Sequence, residues 1–367
     1  MSKFYYSLGL MSGTSADGVD ASIIQSDGDT EYKVILDKYF IYNQDIYENI
    51  HNLKEKINNS KDLTNLSKKI EILEKKITLF HAYVVKKIVE ESKSSIDMIG
   101  FHGQTIFHNA KEKISKQLGD GNLLSSLTKK TVIYNFRQND LKNGGHGAPL
   151  TPIFHKLLKK KFKLKNIRFV NIGGIVNVTQ VRDNDNISGS DIGPGMCLID
   201  RWIRQNTKKN YDENGMIAKS GTVNKISLDQ LLENFYKKEK FISKGVIQSF
   251  DTKYFDFSFV QDLSLEDGAA TLAEFTSQII LNALKSTEKK EKIILCGGGR
   301  KNNFLVEKLK TSNIDIKLID DYDVDGDFVE SQAFAYLAIR SYLKLPISFP
   351  ETTGVRKPSS GGIIVKY

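Results

Sequence analysis

Leu8-Gly9-Leu10-Met11-Ser12-Gly13-Thr14-Ser15-Ala16-Asp17-Gly18-Val19-Asp20 is the stretch that decides how this chain is read. Apolar Phe4 to Met11 leads in and Val19 to Ile24 leads out, which predicts two strands joined by a tight turn. Gly13 and Gly18 allow backbone shapes that other residues resist. Amides in such a turn can converge into an anion-binding concavity, and Ser12, Thr14 and Ser15 add hydroxyl donors. Asp17 and Asp20 would repel a bare phosphate but suit one that arrives with a divalent cation. The same residues would also make an ordinary hairpin, since Gly-rich turns are common.

The 367 residues suit about two domains, and an apolar fraction of 40% is ample for their cores. No stretch approaches the roughly 18 continuous apolar residues of a membrane span. Lys3 followed by Phe4 to Met11 faintly mimics a signal peptide, but the run is short, holds Tyr5, Tyr6 and Ser7, and merges into the turn. Cys197 and Cys296 lie far apart with no CxxC pair, which fits a reducing cytoplasm better than a disulfide framework or a zinc knuckle. The net charge of +9 is spread along the chain, so the dense run His155 to Lys165 reads as a solvated face rather than a nucleic-acid surface. A mild basic bias suits an anionic substrate such as a nucleotide.

Working outward, Tyr32 to Tyr42 reads as a third strand. Leu66, Ile70, Leu73, Ile77, Phe80, Val84 and Ile88 step by three or four and predict a core-facing helix over 64–92. Ile96 to Phe101 is a short apolar strand that runs into His102-Gly103-Gln104-Thr105, a polar cluster placed at a strand end, where parallel α/β sheets hold ligands. Arg137 can grip an anion and Asp140 can accept from sugar hydroxyls, although the two could also pair with each other. Gly144 to Gly147 reads as a hinge between domains. Strand Arg168 to Ile172, Gly173-Gly174 and strand Ile175 to Val181 repeat the opening pattern. Ser188 to Gly195 is read as a turn before a helix at about 196–205, with Asp191 in that turn and the helix N-terminus favouring negative charge. Lys292 to Leu295 is a strand entering Gly297-Gly298-Gly299, a loop read as touching a nucleotide. Phe328 to Leu343 is a strongly apolar helix, and Ile363 to Tyr367 a last strand.

Three Gly-rich loops, each after a strand, suggest two related α/β lobes with ATP in the cleft between them, the layout of the sugar kinases and actin. The chain resembles anhydro-N-acetylmuramic acid kinases over nearly its whole length. The resemblance rests on Met11 to Asp20, His102-Gly103-Gln104-Thr105, Phe136-Arg137, Gly147-Ala148-Pro149-Leu150, Asn171 to Ile175, Asp191-Ile192-Gly193-Pro194-Gly195, Cys296 to Gly299, Val329-Glu330, Ala333-Phe334-Ala335 and Thr353-Gly354, in the family's order. His146 stands where the family has Gln, and Met196 where it has Asn. Phe241 to Gln248 replaces a Pro-Lys-Ser-Thr-Gly-Arg-Glu segment.

The resemblance implies a cytoplasmic homodimer that uses ATP with Mg²⁺. It would open the 1,6-anhydro bridge of 1,6-anhydro-N-acetylmuramic acid with one water and phosphorylate O6, a step of peptidoglycan recycling. A nucleotide- and sugar-binding relative without turnover, or a kinase for another sugar, would carry the same loops. Asp191 is the candidate base. Gly13, Thr14, Ser15, Ala16, Asp17, Gly18, Val19, Asp20, Gly173, Gly174, Gly193, Gly195, Gly297, Gly298 and Gly299 are the candidates for ATP and its phosphates. His102, Gln104, Arg137, Asp140 and Glu330 are the candidates for the sugar. No side chain is expected to bind metal directly; Asp17 and Asp20 would hold the waters of Mg²⁺. The expected lobes are 1–140 with about 345–367, and 141–344.

Overall fold

The computed structural model describes residues 3–240, 250, 252–285, 291–312 and 314–367, so the altered segment Phe241 to Gln248 lies outside the described residues. Contacts divide the chain into two compact units, Met1–Lys163 with Asp327–Tyr367, and Leu164–Gly326.

The first unit opens with β1 (Tyr5–Ser12), β2 (Gly18–Ser26) and β3 (Tyr32–Ile41), an antiparallel meander. Three helices follow: α1 (Gln44–Lys56), α2 (Ser60–Asn65) and α3 (Ser67–Ser92). On α3 the predicted stripe is the buried one, with Ile70, Leu73, Ile77, Val84 and Ile88 packed against Leu8, Leu10, Val19 and Ile23 of the sheet. Helix α1 escaped the sequence reading. Its signals are local: Asn43 caps it by accepting from the Ile46 amide, Asp45 sits in the first turn, and Ile46, Ile50, Leu53 and Ile57 share a face. The chain continues through β4 (Met98–Asn109), β5 (Ile114–Leu118), α4 (Gly121–Thr128), β6 (Thr131–Tyr134), α5 (Gln138–Lys142) and α6 (Pro152–Lys161).

The second unit holds β7 (Ile167–Ile172), β8 (Ile175–Val181), β9 (Ile187–Pro194), α7 (Cys197–Asn206), α8 (Met216–Ser220), α9 (Lys225–Lys240), α10 (Leu265–Leu284), β10 (Lys292–Cys296), α11 (Asn303–Lys310) and β11 (Ile316–Leu318). The chain then returns to the first unit as α12 (Val329–Tyr342), α13 (Pro350–Thr353) and β12 (Ile363–Val365).

The first sheet runs β12-β6-β4-β1-β2-β3, with β5 paired to β4, and the second runs β11-β10-β7-β8-β9. Each has a central strand with an antiparallel meander on one side and parallel strands on the other, so β3-β2-β1-β4-β6 and β9-β8-β7-β10-β11 match in order and sense. These are two α/β units with matching sheets, as the Gly-rich loops predict.

The division falls after Lys163 and before Asp327, where the sequence placed it near 140 and 345. Packing explains both shifts. Phe154 of α6 stacks edge-on against Tyr32 at 5.2 Å and lies 5.7 Å from Tyr336 of α12, which ties α6 into the first unit. Helix α12 lies directly on β1 and β4. A Cβ on Gly9 would sit 1.8 Å from the Ser331 carbonyl oxygen, and one on Gly100, its partner across the ladder, 2.2 Å from that of Phe334. These obstacles are backbone atoms of a packed helix and cannot rotate away. Gly100→Ala is therefore expected to cost about 3 kcal/mol, the upper end of overpacking effects. A urea midpoint unchanged from the parent chain would contradict this close approach.

Three placements correct the sequence reading. Strand β4 continues to Asn109, because β5 pairs with it beyond the end of β1, so His102 to Thr105 lies inside a strand. Residues 188–194 form most of strand β9 rather than a turn, because all but the bulged Ile192 find a partner on β8. Gly144 to Gly147 lies within the first unit and is not the boundary between units. The Gly145 amide donates to the Asp140 carbonyl, the Gly147 amide to the Asp140 carboxylate, and the His146 amide to the Thr353 carbonyl.

Candidate active site

In the first unit the tip between β1 and β2 is built from both sides. The Gly13 carbonyl accepts from the Ala16 amide and from Gln104 Nε2, the Thr14 carbonyl from Lys54 Nζ, and the Ser15 carbonyl lies 3.0 Å from His51 Nε2. Lys54 and His51 stand on α1, so that helix pins the tip. With three successive carbonyls tied down, the Thr14 and Ser15 amides have no acceptor among the described residues. That is the geometry of an anion-binding turn. A Cβ on Gly13 would meet nothing nearer than Ser15 Oγ at 4.0 Å, so the space above it is open to a ligand. The residue with positive φ in the turn is Ala16, at 55°. Gly18 serves close packing instead, since a Cβ there would lie 2.5 Å from the Phe40 carbonyl oxygen.

Asp17 accepts from Ser15 Oγ at 2.6 Å, and Tyr39 contacts it as well. Burial, then the charges of Asp17 and Asp20, push the Tyr39 phenol well above its ordinary range, so it stays a protonated donor beside the two carboxylates. Val19 is buried in the core below the tip. Ser12 Oγ lies 2.6 Å from Gln104 Oε1 and 2.9 Å from the Gly18 carbonyl, so its one proton serves two acceptors. Gln104 thus spends its amide on the base of the tip.

His102 owes its position to a β-bulge. Leu10 faces Phe101 and Met11 faces Gly103, leaving His102 as the extra residue of β4. Its Nδ1 lies 2.7 Å from the Gly103 carbonyl, and its Nε2 lies 2.9 Å from one terminal nitrogen of Arg137. A carbonyl can only accept and a guanidinium can only donate, so the proton sits on Nδ1 and the ring is neutral. Burial, then the Arg137 charge, hold the His102 pKa well below its ordinary value. The other terminal nitrogen of Arg137 donates to the Gly147 carbonyl at 2.8 Å. Asp140 does not pair with Arg137. Its buried carboxylate accepts from Thr353 Oγ1 and the Gly147 amide, each at 2.6 Å, and so fixes the loop that holds Arg137. His146 is half-buried, with Nδ1 closed off and without a partner among the described residues. Glu330 is half-buried in the first turn of α12.

In the second unit Asp191 is half-buried on β9 and faces Asn177 on β8. Ile192 is bulged between the pairs Asn177–Asp191 and Val176–Gly193. Asp191 Oδ2 accepts from the Phe250 amide at 2.9 Å. The Gly173–Gly174 hairpin does not leave the α7 N-terminus open. The Gly173 carbonyl takes the Met196 amide, and the Gly174 carbonyl takes those of Gly195 and Cys197. Met196 occupies the N-cap without a side-chain hydrogen bond and packs on apolar clusters instead. Gly193 lies against Ile279 and Phe235, where a Cβ would come within 2.8 Å of Ile279 Cγ2.

The Gly297 to Gly299 loop is shaped by close approach. Cβ atoms on Gly297 and Gly299 would lie 2.4 Å from Asn171 Oδ1 and 2.2 Å from Ile172 Cγ2, whereas Gly298 has nothing within 4 Å. Gly298 is therefore the position of this loop that faces open space. Buried Arg300 anchors the loop, bonding Asp320 at 2.7 and 2.9 Å and the Gly297 carbonyl at 3.2 Å.

Among the described residues no group of three or more His, Cys, Asp or Glu could hold a metal, and no helix is long and apolar enough to cross a membrane.

The family profile "Anhydro-N-acetylmuramic acid kinase" matches residues 5–367. The chain is 56% identical over 377 aligned residues to the anhydro-N-acetylmuramic acid kinase of Pelagibacter ubique, with all of both chains covered. It is 36% identical to that of Zymomonas mobilis over 97% of this chain and 98% of the relative. The chain belongs to the anhydro-N-acetylmuramic acid kinase family.

Proposed function

We propose that this protein uses ATP to convert 1,6-anhydro-N-acetylmuramic acid to N-acetylmuramic acid 6-phosphate, opening the anhydro bridge with water and phosphorylating O6. Family membership gives the reaction class, that of a phosphotransferase acting on a sugar. The observation that carries the reading to residues is the open pair of amides at Thr14 and Ser15, held outward by the tied carbonyls behind them.

Asp191 acts as general base. It takes a proton from the water that attacks the anomeric carbon on the face opposite the bridge, as the base of an inverting glycosidase does. The bridge oxygen keeps the electron pair of the broken bond and attacks the γ-phosphorus in line, releasing ADP. Phosphoryl transfer asks the protein mainly for positioning and charge stabilisation. Gly13, Thr14 and Ser15 supply amides for the phosphates. Ala16 and Gly18 shape the turn, and buried Val19 seats it on the core. Gly298, at the open position between Gly297 and Gly299, meets the nucleotide. Gly173, Gly174, Gly193 and Gly195 set the backbone around Asp191. Asp17 and Asp20, suited by charge, would hold the waters of a Mg²⁺ bound with ATP, which would supply charge neutralisation. Arg137, set by neutral His102 and by the loop that Asp140 fixes, faces the anionic sugar. Gln104 holds the phosphate turn, and Glu330 contacts the sugar. The protein acts in the cytoplasm as a homodimer, in peptidoglycan recycling.

Mass spectrometry of the products formed from ATP, Mg²⁺ and the anhydro sugar in ¹⁸O-labelled water tests this. The expected product is a 6-phosphate with label on the anomeric hydroxyl and none in the phosphate. Label in the phosphate would place water at phosphorus and overturn the route. No sugar product with ATP still bound would favour a binding protein or a kinase for another sugar.

A further inference from the structure

Val176 and Val178 of β8 turn into the apolar cluster that holds Ile280, Leu284 and Leu305. Asn177, between them, therefore points to the opposite face of the sheet. On that face it is the middle of a polar row, with Asn171 directly opposite on β7 and Asp191 directly opposite on β9. Three such residues abreast on a largely buried sheet cost stability unless they bind something. Asn177 is the one with an unmet need. Its Oδ1 is closed to solvent and has no hydrogen-bond partner among the described residues. A buried acceptor left without a donor in a native fold calls for a functional explanation.

We propose that Asn177 positions the nucleophilic water for Asp191; the proposal rests on the assignment of Asp191 as base. Directly opposite residues on antiparallel strands have Cβ atoms about 5 Å apart, a span that one water can bridge. The terminal torsion of Asn is soft, so Oδ1 can swing toward that water at little cost. The water then has one proton directed at the Asp191 carboxylate and the other donated to Asn177 Oδ1, which aims its lone pair at the anomeric carbon. On attack the first proton passes to Asp191. The bond from the anomeric carbon to the bridge oxygen breaks, with the electron pair going to that oxygen. The second proton stays on the new anomeric hydroxyl.

The test compares Asn177→Ala, Asn177→Asp and Asp191→Asn. Asn177→Ala is expected to lower kcat about 100-fold, the penalty of a misplaced reactant, with KM for sugar and ATP changed less than about twofold. Its thermal midpoint should match the parent's, because Oδ1 contributes no hydrogen bond to the ligand-free fold. Asn177→Asp keeps an acceptor but sets a like charge opposite the base, so the acidic limb of the kcat–pH profile should move up by about one unit or more. A kcat for Asn177→Ala within threefold of the parent, beside an inactive Asp191→Asn, would overturn the water-positioning role and leave the base assignment standing. An active Asp191→Asn would sink the base assignment itself. A lowered midpoint with kcat intact would mark Asn177 as merely structural. If the alanine variant does not fold, an unshifted pH profile for Asn177→Asp overturns the proposal.

Discussion

Asp191→Asn is expected to bind ATP normally and to turn over the anhydro sugar about 10³- to 10⁴-fold more slowly, the upper part of what a general base contributes. The amide has nearly the shape of the carboxylate, and its oxygen can still accept from the Phe250 amide, as Asp191 Oδ2 does at 2.9 Å. What it loses is basicity. The attacking water then has nowhere to send its proton, and the anomeric carbon meets a poor nucleophile. Turnover measured beside nucleotide affinity separates this from misfolding: affinity held and rate lost is the expected pair, and near-normal turnover would remove Asp191 from the chemistry.

Acidification should unfold the protein well before its carboxylates are titrated. Burial pushes His81 and His108 down to about 4 and His155 down to about 3, and holds His102 well below and His146 below the ordinary value. Hydrogen bonding agrees for His81, whose Nδ1 lies 2.8 Å from the Ile77 carbonyl while its buried Nε2 has no partner among the described residues, as a neutral ring requires. In the unfolded chain each imidazole has a pKa of about 6.5. As pH falls from there toward 4, the unfolded state takes up protons that the folded state refuses, so stability drops with falling pH. A shift from about 6.5 to about 4 is worth about 3 kcal/mol for one fully buried ring. Two or three such rings rival the whole stability of an ordinary domain, about 5–15 kcal/mol. Urea midpoints should therefore fall steadily from pH 7 to pH 5, and a flat profile over that interval would show that these rings are not held neutral.

Much of this was legible because it is local. Glycines between apolar runs mark turns wherever they occur, so the tips at Gly13 to Gly18, Gly173–Gly174 and Gly297 to Gly299 could be located along the chain. Helix α3 announced itself through a spacing that depends only on its own residues. The order of the motifs carried the family, and the matching sheets agree with the two-lobe layout that order suggested.

Tertiary structure decided what depends on a partner distant in sequence. Whether His102 to Thr105 ends a strand or continues one is settled by β5, which extends the ladder past the end of β1. Whether Asp191 sits in a turn or a strand is settled by β8. The open choice of whether Arg137 and Asp140 pair with each other is settled by His102, Gly147 and Thr353, which hold them instead. The carbonyls that turn the Thr14 and Ser15 amides outward are tied by Lys54, His51 and Gln104, up to 91 residues away. Spacing along a chain reports the period of one element. A hydrogen bond across a sheet, or a helix lying on a glycine, is settled only when both sides are in place, because its energy belongs to the pair.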